Sequence, residues 1–266
     1  MAVVLTIAGS DASGGAGVQA DLKTFAAHVV YGASALTAIT AQNTTGVTAV
    51  QALAPDLVAA QIDAVMRETG ADAVKTGMLA SREIVDVVAD AAQRHQWTRL
   101  VVDPVLVATS GARLLDDDAV KTVRRRLLSL AAVVTPNLPE AEVLAGVAIQ
   151  SEDDAREAAR RIHALGPAAV IITDGHGASA ETVNDLLLDV DGFRVFHGPR
   201  VPGGSIHGTG CTFSAALAAQ LAVEQPLDAA VRAAQAYVVG AIRHGRDGIA
   251  SRLLNHAWRN SGSEPG

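Results

Sequence analysis

The chain has 266 residues, of which 49% are hydrophobic and only 3% aromatic, so its core must be built from Ala, Val, Leu and Ile. Its 21 basic and 28 acidic residues give a formal net charge of −7, which argues against nucleic acid as a partner. One cysteine excludes an internal disulfide, no apolar run approaches the roughly 20 residues of a membrane span, and the first residues lack a secretory signal. We therefore expect a cytoplasmic protein without membrane contact.

Short β-rich runs alternate with longer amphipathic patterns along the chain. The predicted strands cover residues 3–8, 34–41, 73–78, 99–105, 132–137 and 169–174. The clearest helical patterns between them cover residues 55–70, 81–96 and 151–166. Each of these helices opens with Pro or with Ser followed by acidic residues, which are typical start signals. Alternation of this kind predicts right-handed β-α-β units, and hence a mostly parallel sheet covered by helices.

The last third of the chain departs from this alternation. Residues 183–201 contain two apolar runs on either side of the turn sequence DVDG, which predicts antiparallel strands at one edge of the sheet. Two long helical patterns follow at 210–224 and 226–245. No linker or repeat interrupts the sequence, so residues 1–258 are predicted to form a single domain, and residues 259–266 a disordered tail.

The glycine-rich segment after the first predicted strand, GSDASGGAGVQAD, is a candidate ligand loop because ligands of open α/β sheets bind at the carboxyl ends of strands. Gly15, Gly17 and Ala20 match the dinucleotide fingerprint, although the same glycines also suit a tight turn. Positions 32–55 contain no acid for the ribose hydroxyls, so an NAD-dependent oxidoreductase is the weaker alternative. Asp21, in the helix that follows, is either a substrate acceptor or a favourable charge near a helix N-terminus.

The only cysteine, Cys211, follows the turn formed by Gly208, Thr209 and Gly210 at the start of a predicted helix. Backbone N–H groups of such a turn bind anions. A thiol at this position should have a pKa below its usual value of about 8.5, which makes Cys211 a candidate base or nucleophile beside a phosphate. The alternative is a buried cysteine that packs as a small apolar residue.

Oxygen-bearing side chains at two other predicted strand ends suit Mg²⁺. Asn137 and Glu140 lie three residues apart at a helix start, where they are either metal-site groups or an N-cap and a first-turn acid. Asp103 ends a strand immediately before a proline, where it is either a phosphate-site group or a turn former.

Six ordered motifs resemble the hydroxymethylpyrimidine/phosphomethylpyrimidine kinases of thiamin synthesis, which belong to the ribokinase-like superfamily together with the pyridoxal kinases. The motifs are TIAGSDASGGAGVQADLKTF, TAQNTTGV, KTGML, VVDPV, VTPNLPEAEVL and HGTGCTFSAALAA, within residues 5–257. The resemblance implies a three-layer αβα sandwich and a homodimer. It also implies transfer of phosphoryl groups from Mg-ATP to 4-amino-5-hydroxymethyl-2-methylpyrimidine and then to its monophosphate. Pyridoxal kinase activity, of vitamin B6 salvage, is the nearest alternative.

The resemblance also implies roles for single residues. Cys211 matches the catalytic base, and the turn 208–210 matches the anion hole for the transferred phosphoryl group. Glu140 matches the acid that holds Mg²⁺ through water, with Asp103 beside it at the phosphates. The positions that match pyrimidine-binding residues are Gly9, Ala16, Asp21, Gln42, Met78 and Val105. The positions that match nucleotide-binding residues are Asn137, Thr173 and Gly175.

The chain departs from the family pattern at one place that matters. Many members read Lys-Gly-Gly-His where this sequence reads Thr173-Asp174-Gly175-His176, so a cation near the nucleotide phosphates is absent. We expect this change to affect ATP affinity and the second phosphorylation, with Arg113 or His176 as candidates to compensate. A protein that binds the vitamin precursor without catalysis is a third alternative.

Overall fold

A computed structural model describes residues 1–106, 115–173, 181–202, 206–249 and 251–259. Several sequence predictions lie outside these ranges. They concern Arg113, Asp174, Gly175, His176 and residues 260–266 of the proposed tail.

The described residues form a nine-stranded sheet and a separate small hairpin. The strands of the sheet are β1 (Val3–Asp11), β2 (Tyr31–Asn43), β3 (Gly46–Ala52), β4 (Ala73–Thr76), β5 (Leu100–Val102), β6 (Val133–Val134), β7 (Ala169–Ile172), β8 (Thr182–Asp189) and β9 (Gly192–Pro199). The hairpin consists of β10 (Arg246–Asp247) and β11 (Arg252–Leu253). The order across the sheet is β3-β2-β1-β4-β5-β6-β7-β8-β9.

Six neighbouring strands, from β2 through β1 to β7, run parallel, as the alternating pattern predicts. β8 and β9 are antiparallel, which confirms the predicted hairpin edge. The opposite edge is antiparallel as well, because β3 turns back against β2, and this strand is absent from the predictions. Its residues from Thr48 to Ala52 are all exposed, so they lack the buried apolar run that marks the other strands.

Eight α-helices connect and cover the described strands. They are α1 (Gly17–Ala27), α2 (Pro55–Glu68), α3 (Arg82–Arg94), α4 (Asp117–Thr122), α5 (Leu138–Ala145), α6 (Glu152–His163), α7 (Thr209–Ala222) and α8 (Leu227–Arg243). A π-helical turn (Val123–Leu127) and a 3₁₀ turn (Leu128–Leu130) follow α4. None of the described helices has both the length and the apolar composition needed to cross a bilayer.

The two faces of the sheet have different cores. Helices α2 to α6 cover one face with Ile, Leu and Val, such as the fully buried Ile62, Ile84 and Leu144. Each side chain of this size contributes roughly 1.5–3 kcal/mol when it is buried. Helices α1, α7 and α8 cover the other face with many alanines, which allow close approach. The result is the three-layer αβα arrangement expected from the sequence.

Candidate active site

A cavity of about 260 Å³ opens at the carboxyl ends of the parallel strands. It brings together most of the residues that the sequence singled out. The predicted site residues that line it are Gly9, Ala16, Gln42, Met78, Asp103, Val105, Asn137, Glu140, Thr173, Gly208, Thr209, Gly210 and Cys211. The strand ends therefore build one site, as expected for an open α/β sheet.

The turn before α7 has the form of an anion site. Gly208 has a φ of 87°, in the left-handed region that favours glycine, and no described side chain caps the helix that begins at Thr209. A Cβ atom at position 208 would overlap the carbonyl oxygen of Gly15, whereas one at Gly210 would meet no atom within 4 Å. The turn therefore lies at the cavity, its helix start has no described side-chain cap, and position 208 has a backbone conformation that favours glycine.

Cys211 lies half-buried in the first turn of α7. Burial raises the pKa of its thiol to about 12, against the opposing charge of Lys75 and with a further contribution from Asp103. The predicted lowering of the pKa at this helix start is therefore wrong for the protein without ligands. The loss of water and the nearby carboxylates outweigh the helix terminus, so Cys211 is a neutral thiol at pH 7.

Lys75, a buried lysine absent from the predicted site residues, forms ion pairs with the carboxylates near the Cys211 thiol. Lys75 is 0% exposed, and its Nζ donates to both carboxylate oxygens of Asp21 at 3.0 Å. Nζ also lies 3.8 Å from Oδ2 of Asp103. Although burial opposes the charged form, Asp21 and Asp103 hold the pKa of Lys75 above its usual value, so the amine stays protonated.

Asp21 is the one described pyrimidine-binding candidate that does not line the cavity. Its side chain is fully buried behind Lys75, and its Oδ2 also accepts a 2.6 Å hydrogen bond from Thr6 Oγ1. Its carboxylate is therefore satisfied within the protein and positions Lys75. The expected direct contact with substrate has no support in this arrangement.

Asn137 and Glu140 form the capping box that was one of the two interpretations of their spacing. Asn137 Oδ1 accepts from the Glu140 backbone N–H at 2.9 Å, and Glu140 Oε2 accepts from the Asn137 N–H at 3.0 Å. Both residues also line the cavity, so the cap itself faces the site. Burial and the nearby Asp103 raise the pKa of Glu140 to about 8.

The chemistry of these carboxylates fits a divalent cation. Asp103 is buried and accepts from Ser214 Oγ at 2.8 Å, and its charge disfavours ionisation of Glu140. A cation between hard oxygen ligands would offset that repulsion. No group of three or more His, Cys, Asp or Glu side chains in the described residues forms a complete metal cage. The pair suits Mg²⁺, which is usually held by one or two carboxylates together with substrate phosphates.

A second pair absent from the predicted site residues joins the two glycine-rich loops. His207 Nε2 lies 2.9 Å from Asp11 Oδ2, and both side chains are buried at the cavity wall. The other donors to the Asp11 carboxylate come from its own loop and are the Ser13 N–H and hydroxyl and the Ala16 N–H. His207 and Asp11 are 196 positions apart, so the sequence offers no local signal for their contact.

Comparison with known proteins identifies the family. The family model for phosphomethylpyrimidine kinase matches residues 11–251. The chain belongs to the phosphomethylpyrimidine kinase family. It is 50% identical to a hydroxymethylpyrimidine/phosphomethylpyrimidine kinase of Rhizobium meliloti over 91% of this chain and 90% of that protein. It is 48% identical to the thiamine biosynthesis bifunctional protein ThiED of Geobacter sulfurreducens, over 90% of this chain and 49% of that larger protein.

Solved structures of two kinds of vitamin kinase resemble this family member. An ADP complex of Bacillus subtilis pyridoxal kinase superposes with a TM-score of 0.91 and 37% identity, and covers 98% of this chain and 100% of that one. The phosphomethylpyrimidine kinase of Clostridium difficile superposes with a TM-score of 0.81 and 40% identity, over 91% and 100% of the two chains. The ribokinase-like fold expected from the motifs is confirmed, and the fold alone does not separate the two substrates.

Proposed function

We propose that this chain transfers the γ-phosphoryl group of ATP to the hydroxymethyl group of 4-amino-5-hydroxymethyl-2-methylpyrimidine and then to the resulting monophosphate. The observation that carries the proposal is the juxtaposition of an uncapped anion turn, Gly208–Gly210, with Gln42 and Met78 across one cavity. The family membership agrees with this activity.

Positioning and charge stabilisation supply most of the catalysis in phosphoryl transfer. The N–H groups of the turn would bind the transferred phosphoryl oxygens, and Cys211, next in sequence, would accept the substrate hydroxyl proton. A neutral thiol cannot accept a proton, so Cys211 would act as a thiolate, and its pKa of about 12 already includes the charge of the protonated Lys75. The further positive charge that favours the thiolate would be that of Mg²⁺ at the nearby carboxylates.

ATP and Mg²⁺ are the cofactors of the proposed reaction. Asp103 and Glu140 would hold Mg²⁺, whose chemical contribution is to neutralise phosphate charge, while Asn137 and Thr173 would lie along the nucleotide. Among the described residues that line the cavity, Lys75 is the only lysine or arginine. With threonine in place of the family's lysine at position 173, backbone N–H groups and this one cation are the candidates among the described residues to accommodate the phosphate of the second substrate.

The direct experiment is ADP release measured with Mg-ATP and three separate substrates: the pyrimidine, its monophosphate and pyridoxal. Turnover of both pyrimidines is the expected result. Turnover of the first pyrimidine alone would assign the missing lysine a role in the second step. Turnover of pyridoxal alone would support pyridoxal kinase activity as the alternative function, which agrees with the similarity to Bacillus subtilis pyridoxal kinase. Ligand binding without ADP release would indicate a binding protein.

The metal assignment has its own test. Glu140→Gln keeps the capping hydrogen bond to the Asn137 N–H but removes the negative charge. We expect a higher Mg²⁺ concentration for half-maximal activity and a small decrease in melting temperature, because the amide nitrogen cannot accept from the Leu106 N–H as Glu140 Oε1 does at 3.3 Å. Glu142→Gln, at the next position but one on the same helix, is the matched control. An Mg²⁺ titration identical to that of the unsubstituted protein would remove Glu140 from the metal site.

We further infer a cytoplasmic homodimer. The single, unpaired cysteine suits a reducing compartment. The exposed edge strand β3, with Val50 at its centre, is a surface that a second copy can cover. Light scattering of the unsubstituted protein should give twice the chain mass of 27.2 kDa, and Val50→Lys should lower it. A monomeric mass for the unsubstituted protein would overturn the dimer.

A further inference from the structure

Gln42 lies on the cavity wall between two polar partners. One end of its amide, the atom designated Nε2, is 3.4 Å from His207 Nε2. The other end, designated Oε1, is 3.2 Å from Thr40 Oγ1. An amide group has nearly the same shape in its two orientations, so hydrogen bonding to its neighbours decides which end carries the oxygen.

The proton on His207 can be located from its contact with Asp11. The Asp11 carboxylate accepts hydrogen bonds from the Ser13 and Ala16 N–H groups in addition to His207. Although burial favours the neutral acid, these hydrogen bonds hold the pKa of Asp11 below its usual value. An ionised carboxylate only accepts, so the His207 Nε2 atom at 2.9 Å from it must carry hydrogen.

This proton position settles the orientation of Gln42. A nitrogen that carries hydrogen has no lone pair to accept from an amide N–H, so an amide nitrogen at 3.4 Å would place two donors against each other. Exchanging the two ends removes the conflict, because the oxygen can then share the single His207 Nε2–H, whose main acceptor is Asp11. The amide nitrogen then donates to Thr40 Oγ1, whose own hydrogen is already donated to the Ser10 carbonyl at 2.8 Å.

We propose that Asp11 and His207 are positioning residues that fix the Gln42 amide with its oxygen toward His207 and its nitrogen toward Thr40. Each end of the amide then uses one of its two bonding positions on the protein and keeps the other for a ligand. The two positions left for a ligand are therefore one acceptor, on the amide oxygen, beside one donor, on the amide nitrogen. It recognises a ligand edge that presents a donor beside an acceptor.

The edge of a 4-aminopyrimidine has this pattern, since its exocyclic amine donates and the adjacent ring nitrogen accepts. The 4-oxo analogue presents the reverse pattern, a carbonyl oxygen that accepts beside a ring N–H that donates. The inference rests on the proposed pyrimidine kinase activity and extends it. Asp11 and His207 would set which of the two edges the site selects, without contacting the ligand edge themselves.

The test compares kcat/KM and the calorimetric Kd for the 4-amino substrate and its 4-oxo analogue, 5-hydroxymethyl-2-methyl-4-oxopyrimidine. The unsubstituted protein should prefer the amino compound. His207→Ala frees the amide to rotate, so the ratio of the two kcat/KM values should fall at least tenfold. His207→Gln keeps an N–H donor within reach of Asp11 and should restore most of the ratio.

The chain offers a matched control in a second histidine–aspartate pair. His95 Nε2 lies 3.1 Å from Asp63 Oδ1 on α2, and neither residue lines the cavity. His95→Ala should leave the ratio unchanged. If His207→Ala lowers both substrates by the same factor, the residue has a purely structural role and the proposal is overturned.

Gln42→Glu keeps the test decisive if His207→Ala does not fold. A carboxylate accepts at both ends, so it would meet one donor and one acceptor on either edge, and this variant should lose the amino preference. A retained amino preference would overturn the proposal. Failure of the unsubstituted protein to bind or turn over the amino compound would overturn the proposed function itself, and the inference with it.

Discussion

The two helical layers of the molecule begin their helices in different ways. On one face of the sheet, four of the five helices start with a side chain that accepts from the backbone N–H three residues later, and the exception is α2, which follows Ala54. These caps are Ser81, Asp116, Asn137 and Ser151. On the other face, α1 starts after Ala16 and α7 after Gly208, and no described side chain caps either helix.

The difference separates stability from function. A side-chain cap contributes typically about 1 kcal/mol, and the capped layer gains this contribution at each of four starts. The uncapped starts of α1 and α7 lie at the cavity, where a bound anion can occupy the place of a cap. Their layer gains its stability from close packing, with fully buried residues such as Ala215, Ala216 and Ala219. Among the described helices, only α5, whose capping box lines the cavity, combines both roles.

The largest effect should come from the uncapped layer. Cys211→Ala removes the proposed base in the first turn of α7, so kcat should fall about 10²–10⁴-fold while KM for the pyrimidine changes little. Because the free thiol has a pKa of about 12, its thiolate fraction increases as pH rises. The kcat/KM of the unsubstituted protein should therefore increase between pH 7 and 9, and that of the variant should stay flat. A rise in KM with unchanged kcat would make Cys211 a binding residue.

Next in size is the loss of the buried cation beneath this layer. Lys75→Met leaves the buried Asp21 carboxylate without its partner, which should lower the free energy of unfolding by about 3–5 kcal/mol. Lys121→Met is the control, since its ion pair with Asp118 is exposed to solvent and such pairs contribute little to stability. Urea denaturation measures both. Equal losses in the free energy of unfolding would show that the buried ion pair at the site contributes no more to stability than the exposed pair.

Acid should weaken the uncapped layer through His256. This residue contacts Thr212 of α7, and burial lowers its pKa from 6.5 to about 4. Between these values the unfolded chain binds a proton that the folded protein does not, so stability should fall as pH decreases from 6.5 to 4, by at most about 3 kcal/mol. His256→Gln should reduce this dependence by about half in urea denaturation series, because buried His28, whose pKa is also lowered to about 4, keeps its own contribution. An unchanged slope would assign the acid sensitivity elsewhere.

The smallest effect should come from the capped layer. Ser151→Ala removes the hydrogen bond to the Asp154 N–H at the start of α6, which should cost about 1 kcal/mol of stability. Because α6 lies on the face away from the uncapped turn, kcat and KM should not change. Thermal unfolding and steady-state kinetics measure the two quantities. A loss of activity at the assay temperature, with the protein still folded, would contradict the separation of roles.

The sequence predicts the framework of this fold well, because the framework depends on local patterns. Continuous apolar runs identify β1 and β7, and the DVDG turn identifies the β8–β9 hairpin. β3 escapes prediction because its exposed residues pair only through the backbone of β2. β6 is only two residues long within the longer predicted run 132–137.

The sequence predicts which residues form the site better than it predicts their ion pairs and pKa values. Motif spacing identifies the cavity residues, because each follows a strand end or starts a helix. The roles of Lys75 and His207 depend on partners 54 and 196 positions away, which no local pattern reveals. The direction of the Cys211 pKa was missed for a related reason. The helix start is visible in the sequence, but burial and the nearby carboxylates appear only in three dimensions.

The contact between Gly15 and Gly208 has a consequence for protein engineering. With no room for a methyl group between the Gly15 carbonyl and position 208, the loop after β1 and the turn before α7 share one backbone shape. A chimaera that takes only one of the two segments from a distant kinase would place two backbone segments from different proteins in this close contact, without the matching shape. The two segments therefore form one unit of exchange, although nearly 200 residues separate them in the chain.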